Sequence, residues 1–133
     1  MPITAFYAGL LAPLFVVLSI RVIGVRRREK IALGDGGNAS LMRSMRVHAN
    51  FAEYVPLALL LLLLAESVRT PGWLLHSLGV ALVAARYVHA YGVSRSHENF
   101  KLRVFGMATT FSVLLIASLA CLIGAILPWL AGK

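Results

Sequence analysis

The sequence predicts an all-α integral membrane protein, a four-helix bundle built as a single domain over residues 1–133, and three observations carry that expectation. Of the 133 residues 59% are hydrophobic and 14% charged, and the mean hydropathy is +0.82, a balance foreign to a soluble domain. Uncharged runs at 2–20 and 104–132 are each long enough to cross a hydrocarbon core about 30 Å thick. Between them, 41–66 and 70–93 are two further apolar stretches that carry charged residues inside them.

Helix 1 is expected over about 3–28. Met1–Ile20 has no basic leader and no small-residue cleavage site, so it reads as a retained span and not as a cleaved signal peptide. Arg21 marks where the helix leaves the bilayer, its long side chain reaching for the interface. "GDGGNAS" at 34–40 is a turn: Gly36 and Gly37 tolerate positive φ, and Asn38 or Ser40 can cap helix 2, expected over 40–68. "RTPG" at 69–72 ends that helix, with Pro71 suited to the first turn of helix 3, 71–93. Pro13 and Pro56 lie inside spans, where membrane helices tolerate them. A polar connection at 92–101 leads to helix 4, 102–130.

The net charge of +8 is distributed unevenly. Arg21, Arg26, Arg27, Arg28, Lys30, Arg43 and Arg46 flank the first connection, and Arg86, Arg95, Lys101 and Arg103 flank the third; only Arg69 and Lys133 lie opposite. By the positive-inside rule, connections one and three are cytoplasmic and both termini outside. The charge therefore reports topology and attraction to anionic lipid headgroups, for which Arg27, Arg28 and Lys30 are placed, and nucleic acid is not an expected partner. The lone cysteine, Cys121, deep in the last span, excludes a disulfide framework and argues against a thiolate metal site; no metal is expected.

Within helix 2, Arg43, Arg46, Asn50 and Glu53 recur at spacings of three, four and three, forming one polar stripe that descends into the membrane. A carboxylate there costs roughly 2.5–3.5 kcal/mol unless paired, so Glu53 calls for an arginine, and the stripe must face protein or a wet cavity. Either these residues tie helices together, or they line a site for a polar ligand entering from the cytoplasm. Helix 3 adds Arg86, His89 and Val93 on one face, with Tyr87 and Tyr91 on another, and Lys101 and Arg103 add charge at the start of helix 4. His76, toward the external side, and His97, in a connection, are given no role.

"RVHANFAEYVPL" at 46–57 resembles the helix 2 signature of the MAPEG family, membrane-associated proteins in eicosanoid and glutathione metabolism. "VIGVRRREK" (22–30), "ARYVHAYG" (85–92) and "KLRVFGM" (101–107) are similar to the corresponding helix ends, and with "GDGG" they point to a small bacterial inner-membrane branch. The resemblance implies a homotrimer binding glutathione between subunits near the cytoplasmic face, as co-substrate toward a hydrophobic small molecule. Arg46, Asn50, Glu53 and Tyr54 then match ligand-binding positions, as do Arg26 and His89, while Arg103 matches the arginine assigned to thiol activation. Arg43, Arg86, Tyr87 and Tyr91 are further candidates.

Arginines suit the two carboxylates of glutathione and Glu53 its ammonium. A guanidinium beside the sulfur favours the nucleophilic thiolate. Three departures stand out: Val93 where family enzymes commonly carry a tyrosine, and Val104 and Met107 where the prostaglandin-synthesising branch has serine and tyrosine. The expected function is a glutathione transferase or peroxidase acting on hydrophobic electrophiles or lipid hydroperoxides. A non-enzymatic binding or scaffold protein is the alternative. A small multidrug exporter is less well matched, since the glutamate lies on helix 2 and the basic bias fixes one orientation.

Overall fold

The computed structural model describes residues 2–94 and 99–130; Arg95, His97 and Lys133, named above, lie outside the described residues. Four helices follow one another: α1 (Pro2–Glu29), α2 (Ala39–Ser67), α3 (Gly72–Ser94) and α4 (Phe100–Leu130).

The ends have local causes. α1 and α2 both stop in the same closed turn. Lys30, at φ 57°, and Arg69, at φ 61°, take the left-handed position usually given to glycine. The N–H of Ile31 then reaches the carbonyl of Arg26 at 3.0 Å, and that of Thr70 reaches Ala65 at 3.1 Å. Asn38 caps α2, its Oδ1 accepting from the N–H groups of Ser40 and Leu41 at 3.0 and 2.9 Å, so Ser40 is not the cap. Pro71 stands just before α3 instead of inside its first turn: its carbonyl accepts from Leu74 at 3.0 Å and Leu75 at 3.2 Å. The third connection is shorter than its polarity suggests, because α3 continues to Ser94 and α4 starts at Phe100. Arg21 does not simply seek the interface. Its Nη2 donates to the carbonyl of Ser94 at 2.9 Å, placing a cation on the C-terminal end of α3.

Packing puts α2 and α3 at the centre, each touching the other and both outer helices, while α1 and α4 do not meet among the described residues. One face of α2, Val47, Phe51, Val55, Ala58, Leu62 and Ala65, recurs at helical spacing and is buried against Leu11, Leu14 and Leu18 of α1, Leu75, Leu78 and Leu82 of α3, and Val113 and Ala117 of α4. At the end away from the basic connections, Glu66 accepts the N–H groups of Ile3 at 3.2 Å and Thr4 at 3.0 Å, an anion on the α1 N-terminus. Beside it, Tyr7 Oη lies 3.0 Å from His76 Nδ1.

α1, α2 and α4 are long and apolar enough to cross a membrane, and their outward faces carry residues such as Val17, Leu60, Phe105 and Leu119. α3, with 23 residues, is not one of these three, and it holds Arg86 and His89, which it turns inward, 1% and 3% exposed. In a bilayer such groups must face the protein interior, and the other helices enclose them.

Candidate functional site: a basic cleft between α2, α3 and α4

At the end of the bundle that carries the first and third connections, a cleft of about 320 Å³ opens between α2, α3 and α4, within the size range of ligand pockets. α2 contributes Arg43, Arg46, Asn50 and Tyr54, α3 contributes His89, and α4 contributes Arg103. Met42, Val93 and Met107 complete the wall, and no carboxylate is among the described lining residues. Arg43, Arg46 and Arg103 together make the cleft electropositive and suited to anions.

The α2 set follows from helix geometry. Arg46, Asn50 and Tyr54 are separated by four residues each, so they form one row along the helix. Glu53, seven residues and two turns beyond Arg46, is rotated about 20° from it to the side away from Asn50 and Tyr54. The expected four-residue stripe thus divides: Arg43, Arg46 and Asn50 enter the cleft, whereas Glu53 is exposed beside it, with no hydrogen-bond or ion-pair partner among the described residues.

α4 is held against α3 by two glycines. A Cβ on Gly106 would stand 2.8 Å from the carbonyl oxygen of Ala85 and 2.8 Å from His89 Cβ; one on Gly92 would stand 2.8 Å from Leu102 Cβ. Asn99 closes the junction. Its N–H donates to the Gly92 carbonyl at 3.0 Å, and its own carbonyl accepts the N–H of Arg103 at 3.1 Å. This contact brings Arg103 and His89 to the same wall.

Behind the wall lies Arg86. Its Nη2 donates to Asn50 Oδ1 at 2.6 Å and stands 3.4 Å from His89 Nδ1; its Nη1 approaches Thr110 Oγ1 at 3.5 Å and Met107 Sδ at 3.9 Å. The guanidinium also lies 5.8 Å over the ring of Phe51. Arg86 therefore touches the cleft's lining and not the cleft. Arg26 is turned elsewhere, its Nη1 donating to the carbonyls of Ala32 at 3.3 Å and Gly34 at 2.9 Å, which ties down the first connection. Tyr87 and Tyr91 are exposed on α3 outside the cleft; the Tyr87 hydroxyl reaches the Leu10 carbonyl at 3.4 Å.

Sequence reasoning missed Met42 and the two glycine contacts. Only the glycines leave a trace in the sequence, as small residues in apolar helices, where close approach is common. Two of the three departures noted above, Val93 and Met107, line the cleft, while Val104 does not.

Fold and site together define an integral membrane protein with a helical bundle and a cationic cleft at its basic end. Residues 4–123 match the MAPEG family, and the chain belongs to it. It is 37% identical over 127 residues to the inner membrane protein YecN of Escherichia coli strain K12, a match covering 96% of this chain and 94% of that one. The protein of the same name from Escherichia coli O6:H1 matches at the same 37%.

Proposed function

We propose that the cleft binds glutathione and that the protein is a glutathione-dependent enzyme of the inner membrane, acting as a homotrimer on hydrophobic electrophiles or lipid hydroperoxides. The carrying observation is the convergence of Arg43, Arg46, Arg103, Asn50, Tyr54 and His89 on one cleft at the basic end of the bundle. Glutathione brings two carboxylates and one ammonium, and guanidiniums bind carboxylates with paired, charge-assisted hydrogen bonds. Arg103, beside the sulfur, favours the thiolate; the thiol proton leaves to water, and the sulfur attacks the electrophilic carbon as its leaving group departs. The apolar electrophile arrives from the lipid, and the tripeptide from the cytoplasm through the basic end. Both termini then lie outside, as the charge distribution requires.

Glu53 supports the oligomer. It sits seven residues beyond Arg46, about 10 Å further along α2, on a face continued by the exposed Leu57, Leu60 and Leu64. A carboxylate facing lipid at that depth costs about 2.5–3.5 kcal/mol, and a neighbouring subunit laid over this face removes the exposure. Glu53 is then placed near the cleft's edge to receive the ligand's ammonium.

Calorimetric titration of detergent-purified protein with glutathione tests binding, and conjugation of a chloronitrobenzene tests turnover. Arg103→Ala retains binding and loses about tenfold in rate for each pKa unit of thiolate stabilisation removed. The absence of saturable binding refutes the proposal. Val93 and Met107 favour a second reading, a binding protein without turnover, since both present apolar groups to the ligand; binding with no reaction across electrophiles and hydroperoxides selects it.

A further inference from the structure

Arg86 is the largest side chain sealed in the core, at 1% exposure, and its partners among the described residues are all neutral: an amide, an imidazole, a hydroxyl, a thioether and an aromatic ring. A buried cation with no carboxylate beside it must be stabilised by acceptors, and arginine has donors only. Every group that bonds it is therefore compelled to turn an acceptor inward.

For Asn50 the consequence is an orientation. Its Oδ1 lies 2.6 Å from Arg86 Nη2, so its amide NH2 points away from the guanidinium, on the side where Asn50 lines the cleft. For His89 it is a tautomer. Nδ1, 3.4 Å from the same Nη2, must offer a lone pair, which leaves the proton of the neutral ring on Nε2. Thr110 fits the same pattern: its hydroxyl donates to the Gly106 carbonyl at 2.8 Å, leaving its lone pairs for Arg86 Nη1 at 3.5 Å.

We propose that Arg86 is a positioning residue that sets the hydrogen-bond polarity of the cleft, fixing Asn50 and His89 as donors from behind. With Arg43 and Arg46 the polar part of the wall then offers N–H groups beside the Tyr54 hydroxyl, and it selects ligand groups that only accept, such as carboxylates, carbonyls and thiolates. Arginine suits this task because it stays protonated when buried and engages two walls of the cleft through one nitrogen. The identity of the ligand rests on the glutathione reading; the polarity belongs to the ligand-free chain.

The test uses the full chain in detergent micelles or nanodiscs, with histidine labelled by nitrogen-15 and the His89 signals assigned by difference with His89→Gln. The expected ring has its proton on Nε2 and a bare Nδ1, in one tautomer. Arg86→Met gives a mixture of tautomers and binds glutathione about tenfold more weakly, the scale of one lost hydrogen bond to a charged group. Arg86→Lys, which keeps a donor, recovers part of both. Asn50→Asp, which gives Arg86 a carboxylate but removes the amide donor, keeps the fold and weakens binding.

A proton on His89 Nδ1 in the unaltered protein overturns the proposal, and so does a single unchanged tautomer in Arg86→Met. If the tautomer behaves as expected but no form binds glutathione, the positioning role stands and the ligand assignment falls.

Discussion

Gly106 is the point where a single methyl group separates folding from binding. An alanine there places Cβ 2.8 Å from the Ala85 carbonyl oxygen and 2.8 Å from His89 Cβ, with His89 Cα at 3.2 Å. These are backbone or backbone-proximal atoms of α3 and cannot rotate aside. Restoring normal contact requires α3 and α4 to part by roughly 0.7 Å. Overpacking of this kind costs about 1–3 kcal/mol, and replacing a helical glycine by alanine returns about 1 kcal/mol. The expected net loss of stability is about 0–2 kcal/mol, a protein that still folds. Binding suffers more, because His89 is the residue pushed and Arg103 lies three positions away on the moving helix. A displacement approaching 1 Å weakens glutathione binding and conjugation by about tenfold or more. Two controls sharpen the reading. Gly124→Ala crowds the Val68 side chain at the far end of α4, and Gly24→Ala meets open space. Both leave binding unchanged in calorimetric titration, whatever they do to thermal unfolding in detergent. Unaltered binding in Gly106→Ala, or an equal loss in Gly124→Ala, refutes the argument that this helix contact sets the cleft.

Three other outcomes are expected. Lys30→Gly and Arg69→Gly each stabilise the protein by about 1 kcal/mol, because glycine takes the left-handed turn without the steric penalty that a side chain incurs there; thermal unfolding of the single and double variants measures it. Glu66→Gln weakens the anchoring of the α1 N-terminus by about 1 kcal/mol, read as a lower unfolding midpoint and faster hydrogen exchange at Ile3 and Thr4, with glutathione binding unaffected. Leu60→Cys in a Cys121→Ser background forms oxidant-induced links between copies in membranes, and its failure to do so contradicts an intersubunit role for the exposed α2 face.

The sequence by itself determined the class of protein and much of the local structure. Hydropathy and length are sums over neighbours, so three of the four expected spans, a cap at Asn38 or Ser40 and the breaks at 34–40 and 69–72 could be read along the chain. Helical period is equally local, and it placed Arg43, Arg46 and Asn50 on one face; it also set Glu53 there and Tyr54 elsewhere, which the structure reverses. What it could not give was the partner of each face, since that depends on contacts between helices far apart in sequence. Only the packing of α2, α3 and α4 decided that the cleft takes in Tyr54 and not Glu53, and that Val93 and Met107 face it, while Arg26 turns to its own connection. Burial also decided the position of Arg86, which shares a helical face with His89 in the sequence yet lies behind the wall that His89 forms. A guanidinium's sequence neighbours are the same in either place; the acceptors that let it stay there come from other helices.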